Sequence, residues 1–206
     1  MKRIWLTIGL TMLALFWGAA ATVMDRASFS GHMLVHMGVV VLAAPLIALG
    51  LSGTVYDPAP RYRWFAPLPA SLAELLIVWV WHAPSMRLWA ETSTPAAIIE
   101  QATFLFGGVG LWLACLDRAH GRRLTGVLAL LLTSMHMTLL GVLLTMAPRP
   151  LYGAEAVTCF GMVLGPEQDQ QAGGVIMLAL GAAAYLTGGI ALLAGALRQV
   201  PSERHA

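Results

Sequence analysis

Apolar residues in this chain come in runs of about twenty, and that fact removes most folds from consideration. The runs cover roughly 4–23, 29–50, 70–89, 96–116, 124–147 and 173–196. Twenty helical residues at ~1.5 Å each reach across the ~30 Å hydrocarbon layer of a bilayer. Inside that layer backbone polar groups must be satisfied within the segment itself, so helices are the expectation. Composition agrees, with 58% hydrophobic residues and 11% charged, where a water-exposed surface needs about a quarter charged. The reading is an all-α, polytopic bundle of about six spanning helices. It forms a single transmembrane domain over residues 1–206, with a long outer loop at 148–172.

Charge orients the bundle. With a cytoplasmic N-terminus, the inner segments carry Lys2, Arg3, Arg61, Arg63, Arg118, Arg122, Arg123, Arg198 and Arg204, and the outer ones only Arg26, Arg87 and Arg149. That distribution obeys the positive-inside rule and puts both termini inside. The first run, with Lys2-Arg3 before it and GAAATVMDRA after it, also has the outline of a signal peptide. Its apolar stretch is longer than the usual seven to fifteen residues of such a segment, so an uncleaved helix is expected. Cys115 and Cys159 fall on opposite sides and should not pair; without a CxxC, thiolate chemistry has no support.

Polar residues then gather at one end. His32 and His36 in SGHMLVHM lie one turn apart, on one helix face, at the outer end of the second run. His82 in VWVWHAPS lies near the outer end of the third, before Pro84, which should end or bend that helix. His136 is ~20 Å up from Arg123, in the outer third of the layer. Glu100 and Gln101 open the fourth helix, and Asp169 and Gln170 precede the sixth. His120 and His205 read as solvated cytoplasmic residues. An imidazole inside a bilayer is costly unless it is partnered, faces water or binds something.

Imidazole suits copper and zinc, and thioether sulfur favours Cu(I). His32, His36, His82, His136 and Asp169 are therefore candidate metal ligands, with Met33, Met37, Met137 and Glu100 as possible additions. Gln101, Gln170 and Arg87 are supporting polar groups. Simpler roles stand beside these. A single intramembrane histidine can tie helices together, methionines usually pack, and Asp169 or Glu100 can mark a helix start. Arg87 can serve only to neutralise Glu100 or Asp169. The His32/His36 pair is hardest to explain by packing, because two imidazoles in one stripe cost twice.

The order HMLVHM…APLIALG, WVWHAPS, MHMTLLGVLLTMAPRPLY and DQQAGGVIML resembles the CtaG-like membrane proteins, associated with assembly of caa3-type cytochrome c oxidases. The resemblance covers most of residues 28–190. It implies a multi-pass protein of the bacterial plasma membrane that delivers or inserts copper from the outer face. It also implies a role as an assembly factor and not a catalyst. The family's polar positions fall here at His32, His36, His82, His136, Asp169 and Gln170. The family often has a histidine early in the fourth helix, where this chain has Glu100 and Gln101. The implied cargo is copper as Cu(I), and the implied partners are an oxidase subunit or another copper-handling protein, within the lipid bilayer and without nucleic acid. Two alternatives remain open: a b-type haem-binding membrane protein, and a scaffold for oxidase biogenesis that binds no metal. An enzyme is disfavoured, since there is no HExxH, nucleophile elbow or phosphate loop.

Overall fold

The computed structural model of the chain describes residues 1–22, 25–117, 123–153, 155–159 and 162–198. His120, His205, Arg118, Arg122, Arg204 and the Cys159 side chain lie outside that set. Helix α1 covers Lys2–Thr22. The next apolar stretch, Phe29–Leu51, is continuous but not uniform. It consists of α2 (Phe29–Met37), a π-helical turn (Gly38–Ala43) and α3 (Ala44–Leu51). Pro45 explains the wider turn. Having no N–H, it cannot donate to the carbonyl four residues back, and the chain answers with an i→i−5 bond from Ala44 N–H to Val39 O.

Helix α4 (Pro67–Trp81) is followed by α5 (Pro84–Thr92), then α6 (Thr94–Leu116), α7 (Arg123–Thr145) and α8 (Pro166–Leu197). Among the described residues, five helical stretches are long and apolar enough to cross a membrane: α1, α2 through α3, α6, α7 and α8. The third expected span, 70–89, is where sequence and structure part. It is a 15-residue helix that stops at Trp81 and a separate nine-residue one. Pro84 disfavours helical geometry at Ala83, which is extended (φ −63°, ψ 133°), and so breaks the run. The loop expected at 148–172 is also shorter. It contains a small antiparallel hairpin, β1 (Val157–Cys159) with β2 (Met162–Leu164). Helix α8 starts early enough to take Asp169 and Gln170 into its first two turns.

Helices α7 and α8 form the closest pair, α2 packs on α8, α3 on α1 and α6, and α4 on α6 and α7. Glycine sets the closest approach. A Cβ on Gly141 of α7 would sit 2.9 Å from Gly174 O of α8, so the two backbones touch as small residues allow in lipid. Cross-links fix which ends meet. Lys2 Nζ donates to Ser52 O at one end. At the other end, the start of α2 is bonded to the start of α8, and Gln170 of α8 donates to Leu144 O near the end of α7. The starts of α2, α6 and α8 thus share one end of the bundle with the finishes of α1, α4 and α7. All the polar residues discussed below, apart from Ser71, Glu74, Thr133 and Tyr185, approach that end.

Candidate metal site

Helix α2 is anchored before it reaches its histidines. Ser28 caps it, accepting from Gly31 N–H at 3.1 Å. The Asp169 carboxylate then takes the remaining donors of its first turn. One oxygen accepts from Phe29 N–H. The other accepts from Ser30 N–H at 3.1 Å, Ser28 Oγ at 3.1 Å and Ser30 Oγ. Asp169 is thus a helix-start residue, but for a helix 140 positions away in sequence. The structure shows the carboxylate in an anchoring role, with Oδ1 accepting three hydrogen bonds and Oδ2 one.

From that anchor, His32 and His36 project one turn apart with ring planes 5° from parallel and centroids 6.3 Å apart. His82 arrives from the end of α4, its centroid 6.2 Å from that of His32 and 5.4 Å from that of His36. The broken third span supplies this position. At the last residue before the break, the His82 ring folds back so that Nδ1 lies 2.6 Å from Val78 O. A ring nitrogen bonded to a carbonyl must carry the proton, which leaves the Nε2 lone pair free. Glu100, from the first turns of α6, places Oε1 3.6 Å from His32 Nε2. One turn further on, Phe104 lies against all three rings, nearest to His36 at 3.9 Å.

These side chains are buried and short of partners. His36 is wholly enclosed, and neither of its ring nitrogens has a hydrogen bond. His82 Nε2 and Glu100 Oε1 are also buried without one. Such groups cost roughly 1–3 kcal/mol each when unsatisfied. Among the described residues, no three His, Cys, Asp or Glu side chains are gathered tightly enough to enclose an ion as they stand. To bind one ion the rings must draw closer. Three imidazoles on one ion at ~2.0 Å have ring centroids about 5 to 5.5 Å apart, against 5.4–6.3 Å here.

The other residues expected at the site have partners or packing of their own. His136 is buried with both nitrogens unpartnered, but it makes no ring contact with the three histidines. It lies one turn along α7 from Thr133, whose hydroxyl meets Ser71 of α4 at 2.8 Å. Met33 and Met137 pack on glycines of α8, a Cβ at Gly173 lying 3.0 Å from Met33 Cγ and one at Gly181 3.2 Å from Met137 Cβ. Met37 is fully buried in the apolar core. Gln101 accepts from Trp17 Nε1 at 3.3 Å and Arg87 donates to Arg26 O at 2.7 Å. Gln170 accepts from Leu151 N–H at 2.6 Å.

Two buried polar residues outside the histidine trio also escaped sequence reading. Tyr152, in the loop after α7, stacks on Phe29 with centroids 4.2 Å apart and donates to His82 O at 2.6 Å. Burial pushes its phenol up to about 12, so it remains a donor at every physiological pH. Nothing in the loop sequence signals this. Glu74 of α4 was legible, as the lone acid in PLPASLAELLIVWVW. It is buried, with Oε1 accepting from Tyr185 OH at 2.6 Å and Oε2 unpartnered. Tyr185→Phe removes that donor and is expected to destabilise the protein by about 1–3 kcal/mol, read as a lower thermal midpoint in detergent. An unchanged midpoint would show that this bond contributes nothing net.

A bundle of membrane-length helices with a buried cluster of imidazoles at one end defines a polytopic membrane protein with an internal polar site. The sequence model of one such family, the cytochrome c oxidase caa3 assembly factor (Caa3_CtaG), matches residues 1–199. The chain belongs to that family. No curated protein and no solved structure matches it.

Proposed function

We propose that this assembly factor handles copper, as Cu(I), at His32, His36 and His82, and passes it from the outer face of a bacterial plasma membrane to an oxidase subunit or another copper-handling protein. In this reading both chain termini are cytoplasmic, as the distribution of Lys and Arg favours. The observation that carries it is the meeting of unpartnered buried nitrogens. His36 has two, His82 has a lone pair freed by its bond to Val78 O, and His32 stands beside both. An ion between them satisfies groups that the fold otherwise leaves bare. Three neutral rings suit copper, and Glu100 beside His32 supplies the countercharge a cation needs at low dielectric. Haem fits the packing less well, because Phe104 fills the space against all three rings where a flat macrocycle would insert.

The handling step is ligand exchange without redox chemistry. The carrier's ligands leave as imidazoles replace them, and the reverse happens at the recipient. The test is Cu(I) stoichiometry of the detergent-purified protein, with His82→Ala beside the parent. Expected is one copper per chain in the parent and a loss of at least tenfold in affinity in the variant, with the fold retained by circular dichroism. Equal retention by both would remove His82 from the site. No retention by a folded parent would favour the metal-free scaffold.

A further inference from the structure

The three rings are roofed over at their end of the bundle. Tyr152 and Phe29, both buried, stack above them, with Phe29 edge-on to His82 at 6.3 Å. Two hydrogen bonds hold that roof: Tyr152 OH to His82 O, and Leu151 N–H to Gln170. Sideways the arrangement differs. A cavity of about 350 Å³ lies between the end of α1, α5 and the start of α6, and its inner wall includes His32 and Glu100 but neither His36 nor His82. Alanines make the space. Ala20 and Ala21 of α1, Ala90 of α5 and Ala97 of α6 line it where larger residues would fill it. Three acids (Asp25, Glu91 and Glu100) and two arginines (Arg26 and Arg87) face it. Both arginines are tied down, Arg26 to Thr94 Oγ at 3.1 Å and Arg87 to Arg26 O. The α1 wall meets α6 through the bond from Trp17 Nε1 to Gln101.

Resting on the copper reading above, we infer that the ion reaches the trio sideways through this cavity, with Glu100 as its first ligand and His32 as its second. Only these two potential donors of the site stand on the cavity wall, so an ion arriving there meets them before His36 and His82. The carboxylate captures by charge. Imidazole then takes the ion deeper, because nitrogen is the softer donor. Each transfer replaces one ligand by another and moves no electron.

The experiment is the time course of Cu(I) loading onto the full-length protein in detergent, from a Cu(I)–bicinchoninate donor whose absorbance falls as copper leaves it. Ala97→Trp, which fills the cavity, is expected to slow loading at least tenfold with the final stoichiometry unchanged. Glu100→Gln, which keeps size and shape, should slow it likewise if Ala97→Trp fails to fold. Tyr152→Phe, which releases the roof from His82, should load at the parental rate. Parental loading rates in both Ala97→Trp and Glu100→Gln, or faster loading in Tyr152→Phe, would overturn the side route while leaving the trio intact. A parent that takes up no copper overturns the trio itself, and the route with it.

Discussion

Replacing His36 with leucine is expected to make the metal-free protein more stable while abolishing its copper binding. The side chains are of similar size, and the position is fully buried against Phe104. Histidine there leaves two ring nitrogens unsatisfied, at roughly 1–3 kcal/mol each. Leucine removes both and packs in a cavity already lined by carbon. Imperfect packing of the new side chain offsets part of that, so a gain of about 1–3 kcal/mol, seen as a higher thermal midpoint without copper, is the expected result. The opposite holds for a histidine that ties helices together, because its loss leaves a partner bare and lowers the midpoint. On the copper reading, a residue that weakens the resting fold is explained by the ion it binds. Copper should raise the midpoint of the parent and leave that of His36→Leu unmoved.

Asp169→Ala should have the largest structural effect of any single change at this end. Two backbone N–H groups and two serine hydroxyls converge on the carboxylate. Hydrogen bonds to a charged acceptor contribute about 1.5–3 kcal/mol each. They are not additive here, since the four share two oxygens. The variant should lose several kcal/mol overall, and its copper affinity should fall too, because His32 follows Phe29 by three residues on the turn that Asp169 holds. Asp169→Asn keeps one good acceptor and should fall between parent and alanine. Thermal unfolding with and without Cu(I) reads both effects. If Asp169→Ala lost copper without losing stability, the aspartate would be a ligand after all.

The spans were legible because hydrophobic runs and bilayer thickness constrain each other. The break in the third was half legible. Pro84 announced a bend at a known place, but not that the halves would separate or that His82 would become the last residue before the gap. The trio was readable to the extent that helix periodicity goes. The i, i+4 spacing put His32 and His36 on one face, and the shared end of the bundle added His82. His136 met the same criteria of depth and type, yet it lies along the seam between α7 and α4, because depth along a helix says nothing about which neighbour it faces. The methionines adjoining the histidines read as possible ligands from sequence. Successive side chains diverge by about 100° on a helix, and Met33 and Met137 meet glycines of α8 instead. Asp169 was expected to precede the sixth helix and mark its start; it lies inside α8 and its carboxylate takes the first-turn donors of α2 instead. Its target was invisible, since a carboxylate's partner 140 positions upstream is a product of the whole fold.

The most direct measurement is the copper X-ray absorption spectrum of the Cu(I)-loaded parent protein. Expected are three light scatterers at about 2.0 Å with the outer-shell pattern of imidazole. At least one should be lost in His36→Leu if that chain retains any metal. Sulfur at about 2.3 Å as the dominant scatterer, or a folded parent that holds no copper to measure, would contradict a three-histidine site.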